Sequence, residues 1–196
     1  MRSTPRALAW LLVLGGTVGA AAAVTLMLEK LAVLRDPGYV PSCNLSPVIN
    51  CGSIMSSDQA EAFGFPNPLI GIAAFPVLIA TGAALLAGAR LARWYWLGLQ
   101  VGVVAGTAFI GWLAFQSLYR IEALCPYCLA VWAVVVPIAW YVTLENLWAG
   151  RFGTRAASSK IARWLRQSHA LIPMFALLVV VGLVIEQFWS YWTTVI

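Results

Sequence analysis

Five apolar runs, each about as long as a lipid hydrocarbon core is thick, constrain this chain more than any other feature. A spanning helix needs about 20 mainly apolar residues, and the stretches 7–28, 68–88, 94–118, 127–147 and 170–189 meet that length. In hydrocarbon every backbone polar group must be satisfied within its own segment, so these runs fold as helices. Charged residues make up only 10% of the chain, against about 25% in soluble domains, so little is left for a water-soluble domain. The expectation is an all-α, polytopic membrane protein forming a single transmembrane domain over residues 1–196, with one long loop at 29–67. The first run follows Arg2 and Arg6 and contains Ala20, Ala21 and Ala22, in the manner of a secretory signal, but it continues to Leu28 and is too long for a signal core.

Basic residues set the expected orientation. Arg2, Arg6, Arg90, Arg93, Arg151, Arg155, Lys160, Arg163 and Arg166 fall on one side of a five-span layout, and only Lys30, Arg35 and Arg120 on the other. The positive-inside rule makes the first set cytoplasmic, placing the N-terminus inside and the C-terminus outside. The net charge of +5 is accounted for by these loops, which are expected to touch anionic lipid and carry no sign of nucleic-acid binding. Trp10, Trp94, Trp96, Trp148, Trp164, Trp189 and Trp192 lie near predicted helix ends, where indole rings settle among headgroups. Trp112, Trp132 and Trp140 lie deeper and read as packing residues.

All four cysteines fall on the extracytoplasmic side of this layout, the compartment in which disulfides persist. Cys125 and Cys128 enclose Pro126 and Tyr127 at the start of the fourth helix. Two residues at i and i+3 share a helix face, and proline suits a first helical position. The unpaired amides and dipole of a helix start favour thiolate, so the pair is a candidate reactive dithiol. Cys43 and Cys51 sit among Pro41, Pro47 and Gly52, which suggests an exposed turn-rich loop able to meet a partner and to exchange with the helix pair. The alternatives are a structural staple in either place, or zinc held by all four sulfurs. Zinc knuckles bring paired ligands two to four residues apart, and Cys43 and Cys51 are separated by seven, so no metal is expected.

After the loop cysteines, the segment 57–63 reads as a short helix with Asp58 and Glu61 at capping-box spacing and Gly64 as its stop. Asn67 before Pro68 is a good N-cap for the second span, or else its amide faces a ligand carbonyl. Gly98, Gly102 and Gly106 recur at the spacing of close helix packing. The single histidine, His169, starts the last span on the cytoplasmic side and reads as solvated.

Paired loop cysteines, Ser56 and Ser57, then Phe63, Gly64, Phe65, Pro66, Asn67 and Pro68, and finally Cys125 to Cys128 at a helix start resemble the vitamin K epoxide reductase family, especially its bacterial members. The resemblance runs from about Cys43 to Val142, with the first helix matching in character only. It implies a four-helix bundle around a quinone, menaquinone or ubiquinone, with a fifth transmembrane helix beside it. It also implies that Cys128 faces the quinone, that Cys125 exchanges with Cys51, and that Cys43 meets the partner. Ser57 and Asn67 match positions lining the quinone pocket, and Trp132 stands where animal members carry tyrosine. Bacterial relatives often carry a thioredoxin-like domain after the fifth helix; with Ile196 as the last residue here, the expected partner is a separate, secreted thioredoxin-fold protein. The implied function is thiol oxidation coupled to quinone in a bacterial inner membrane. Two competing readings are an unrelated quinone-linked disulfide oxidant, whose helix-start pair precedes its loop pair along the chain, and a non-enzymatic scaffold with stapled loops. Here the loop pair comes first.

Overall fold

A computed structural model describes residues 6–36, 38–189, 191 and 193; Arg2 and Trp192 lie outside the described residues. The protein is an all-α polytopic membrane protein. Among the described residues four spans are long and apolar enough to cross a bilayer: Arg6–Arg35, Pro68–Leu86, Arg93–Ile121 and Pro126–Trp148. A fifth is formed if the pair Lys160–Gln167 and Leu171–Gln187, bent by 68°, counts as one. In chain order the helices are α1 (Arg6–Arg35), α2 (Cys51–Met55), α3 (Pro68–Leu86), α4 (Arg93–Gln116), α5 (Pro126–Trp148), α6 (Thr154–Ala157), α7 (Lys160–Gln167) and α8 (Leu171–Gln187). A 3-10 turn occupies Asp58–Glu61, and a π-helical turn, Ser117–Ile121, continues α4.

The first helix is longer than its apolar run. Its 30 residues extend about 45 Å at 1.5 Å per residue, against a hydrocarbon core of about 30 Å. The surplus lies at the cysteine end of the bundle and carries Glu29 and Lys30, both of which prove structurally busy.

Helix α1 packs against α3 and α5, and α4 against α5, whereas α3 and α4 barely touch. Close approach of α1 to α3 is secured by glycine. A Cβ on Gly82 would stand 2.6 Å from the carbonyl oxygen of Ala9, and one on Gly19 would run into the ring of Phe75. The small-residue contact anticipated for Gly98, Gly102 and Gly106 is thus made by other glycines; those three have open space where a Cβ would go. Leu12, Phe75, Trp96, Val135, Ile138 and Val142 form the apolar core. Trp96 is therefore a core residue and not a headgroup anchor, while Trp112, read as a packing residue, is 40% exposed beside Phe109.

At the end away from the cysteines, α4 and α5 are joined by side chains. Asn146, fully buried, donates to the Gln100 side-chain oxygen at 3.0 Å and to the Trp96 carbonyl at 3.2 Å. Gln100 donates to the Thr143 hydroxyl at 2.9 Å. Arg151 lies over the Trp96 ring, 4.3 Å from its centroid, and donates to the side chains of Asn146 and Glu145. The basic helix α7, which the sequence reading missed, follows here with Ile161 and Trp164 exposed. The elbow between α7 and α8 is fastened to α5 by Trp140, which donates to the His169 carbonyl at 2.7 Å, and by Tyr141, whose hydroxyl lies 3.1 Å from the His169 ring. His169 itself is exposed.

Candidate active site

Two chain segments are brought into register before any sulfur meets another. The π-turn ends at Glu122, whose left-handed backbone (φ 55°) swings the chain out of α4. The next residues run alongside the loop, where Ile49 and Leu124 form a parallel bridge. Leu124 donates its amide to the Val48 carbonyl at 2.8 Å and accepts from the Asn50 amide at 3.0 Å. The loop between the first two cysteines is closed on itself: the amides of Leu45 and Ser46 reach the Ile49 carbonyl, and the Ser46 hydroxyl accepts from the Ile49 amide at 2.9 Å. Asn50 then caps α2 by accepting from the Ser53 amide at 3.0 Å, as an N-cap asparagine does. Asn44 accepts from the Gly52 amide at the same distance.

The outcome is a compact sulfur cluster. Cys43 and Cys51 are joined in a disulfide, with Cα atoms 5.7 Å apart; Cys125 and Cys128 are free thiols. The Cys51 sulfur is 3.3 Å from the Cys125 sulfur, inside the sum of two sulfur radii. Cys125 precedes Pro126 at the N-cap of α5, with extended backbone. Its thiol is held below the ordinary value chiefly by a hydrogen bond from the Cys128 side chain, with the amides of Cys128 and Tyr127 adding to the effect and burial opposing it. These are the donors that a helix start presents to an anion.

The loop pair is not exposed, as its prolines and glycine suggested. Cys43 is 4% exposed and Cys51 is fully buried, because α2 and its flanks pack them against Met55 and Cys125. Segment 39–42 is clasped over them by Glu29, which accepts from the Tyr39 hydroxyl at 3.0 Å, the Ser42 amide at 3.3 Å and the Ser42 hydroxyl. Glu29 and Lys30 carry no site signal in the sequence, because charge at the end of an apolar run usually marks only the water boundary.

Beneath the sulfur cluster lies a cavity of about 580 Å³ lined by α1, α3, α4 and α5. The segment from α2 to Asn67 forms its lid. Cys128 lines this space and Cys125 does not, so the two members of the helix pair face different neighbours: Cys125 the loop, Cys128 the cavity. Ser57, Asn67 and Trp132 all line it. Ser57 donates to the Ile54 carbonyl at 2.7 Å. Asn67 holds the N-cap position of α3, but its side chain does not cap that helix. It turns to the lid, donating to the Gln59 carbonyl at 2.6 Å and accepting from the Ala62 amide at 3.2 Å. The expected short helix is a single 3-10 turn without a side-chain cap; Glu61, expected to close a capping box, pairs with Lys30 at 3.0 Å instead. Gly98, Gly102 and Gly106 face the cavity as a smooth strip of α4, opposite the α3 residues Ile70, Ala74 and Val77. A few polar groups in an otherwise apolar space, most of them at the lid, suit a flat, apolar ring with polar substituents, and the volume is typical of a small-molecule site.

No curated protein matches the chain significantly. The family model described as the vitamin K epoxide reductase family matches residues 10–143, so the match begins within the first helix and extends beyond the resemblance drawn from the motifs. That stretch holds all four cysteines and every residue lining the cavity, and the chain belongs to the vitamin K epoxide reductase family of membrane thiol–disulfide redox enzymes.

Proposed function

We propose that this protein oxidises the dithiol of a secreted thioredoxin-fold partner and delivers the electrons through its two cysteine pairs to a quinone, menaquinone or ubiquinone. In this reading it resides in a bacterial inner membrane as one transmembrane domain, N-terminus in the cytoplasm and cysteines outside. The observation that carries the proposal is the continuous sulfur path. Cys51 is bonded to Cys43 and 3.3 Å from Cys125, and Cys128, next to Cys125 on the same helix turn, opens into an apolar cavity.

A bound quinone supplies an acceptor for two electrons and two protons. On the protein side, Cys128 meets the cavity and Cys125 closes on it; as their Sγ–Sγ bond forms, the pair gives up two electrons and two protons. The Cys51 thiolate then attacks Cys125, and Cys43 attacks Cys51, which restores both helix thiols and leaves a Cys43–Cys51 disulfide. That is the bonding pattern described above. A partner dithiol returns the loop pair to thiols by attack on Cys43 and departs as a disulfide, so each cycle converts one dithiol and one quinone into one disulfide and one hydroquinone. The low thiol value of Cys125 supports its part, since exchange is fast when a thiolate leaves or attacks. Ser57, Trp132 and the second hydrogen of the Asn67 amide are the groups assigned to orient the ring.

The test is donor-driven quinone reduction by the purified chain, followed by absorbance, with Cys128→Ala in parallel. Turnover that disappears in the variant supports the scheme. Absence of turnover with several quinones and donors, with cysteines that stay oxidised, would favour a stapled scaffold.

A further inference from the structure

Lys30 is the single charged residue among the described residues that line the cavity. Its ammonium donates to the Met55 carbonyl at 2.7 Å and to Glu61 at 3.0 Å, and Met55 packs in one cluster with Cys51, Cys125 and Cys128. The cation therefore stands at the lid, at the same end of the cavity as the sulfurs. An ammonium carries three hydrogens, two of them engaged in these contacts. The Lys30 side chain is 13% exposed, whereas Glu61 is 43% exposed and does not line the cavity. Water screens the more exposed carboxylate more than the ammonium, so the pair neutralises Lys30 less completely than a buried pair would.

We infer that the lid end of the cavity is an anion-favouring ring site, with Lys30 as the residue that stabilises negative charge on the bound ring. The ligand class is acidic quinones and phenolates. Carried over to the proposed reaction, on which this consequence rests, Lys30 favours electron arrival at the cavity before proton delivery is complete. Charge stabilisation of this kind acts most strongly inside a water-poor site.

The experiment measures binding, without turnover. Lawsone, a hydroxynaphthoquinone that is an anion at neutral pH, and menadione, a neutral methylnaphthoquinone, are each titrated into the purified full chain by tryptophan fluorescence quenching. Lys30→Gln is expected to weaken lawsone relative to menadione by on the order of tenfold, while Lys30→Arg keeps the preference and Glu61→Gln keeps or increases it. Acidification that neutralises lawsone should erase the preference in the wild type. Equal changes for both ligands in Lys30→Gln, or none, would overturn the inference and leave Lys30 as a lid latch. Failure of the wild type to bind either ligand would overturn it together with the quinone reading, whereas intact selective binding without donor-driven turnover would sink only the reaction scheme.

Discussion

The two ends of the bundle are fastened by different chemistry. Away from the cysteines, α4 and α5 are locked by Asn146, Gln100, Thr143 and Arg151, a network in which each polar group has a partner fixed on a helix. At the cysteine end no comparable set of side chains joins the spans among the described residues. Loop and lid are held to the spans there by a two-bond backbone bridge, by Glu29, Lys30 and Asn67 bonding loop and lid groups, and by a disulfide that has a free thiol beside it. Buried polar groups that satisfy one another rigidify a core. In the proposed scheme the sulfurs exchange partners, which calls for the looser fastening found at their end and for the fixed frame found at the other.

Substitutions separate the two roles. The largest effect is expected from Cys51→Ala, which removes the sulfur joining loop to helix: partner oxidation should fall by on the order of a hundredfold or more, with thermal stability in detergent changed little beyond loss of the small disulfide loop. Asn146→Leu should do the reverse. Leaving Gln100 and Arg151 short of a partner costs about 2–3 kcal/mol, measured by denaturation in micelles, while thiol transfer per folded molecule stays within a factor of two. A Cys51→Ala protein that still passes electrons, or an Asn146→Leu protein that folds normally but has lost thiol transfer, would break the division of labour.

A third substitution probes the cavity between the ends. Gly102→Leu should fill the strip facing α3 and weaken quinone binding by about tenfold, since a whole isobutyl group would enter the space the ring system needs, with Cys51-to-Cys125 exchange unaffected. The smallest effect concerns pH. Because the Cys125 thiol is held low, its thiolate absorbance should appear at lower pH than that of a free thiol. Removing the first cause of that shift in Cys128→Ala should move the midpoint up. An unmoved midpoint would assign the effect to the helix amides alone. In the linked stability, the depressed value favours the folded state above the unfolded thiol's titration and is lost as pH falls through the folded one.

Much of this was legible in the sequence, for physical reasons. Spans are set by local hydropathy, so four matched to within a few residues, and Pro126 marked the start of α5. That Cys125 and Cys128 stand together at a helix start could be read because i, i+3 spacing needs no knowledge of neighbours. What escaped depended on neighbours. The spacing of Gly98, Gly102 and Gly106 puts them on one face, but whether that face meets a helix or a void is decided by the gap between α3 and α4. Turn-forming residues around Cys43 predicted a loop, not that α2 would bury it. Asn67 fitted a cap by sequence position, and lost that role because the lid backbone offered better-placed partners.

The bridge between Ile49 and Leu124 works as a registration mark. It stands two residues before Cys51 and one before Cys125, so the distance between these two sulfurs is measured out in backbone units from a shared origin. The chain beyond Ser57 lies outside that measure. A single residue inserted after Ile49 or after Leu124 would shift one sulfur along the chain relative to the bridge, displacing Cys51 from the start of α2 or Cys125 from the N-cap of α5, and no choice of side chain could restore the contact.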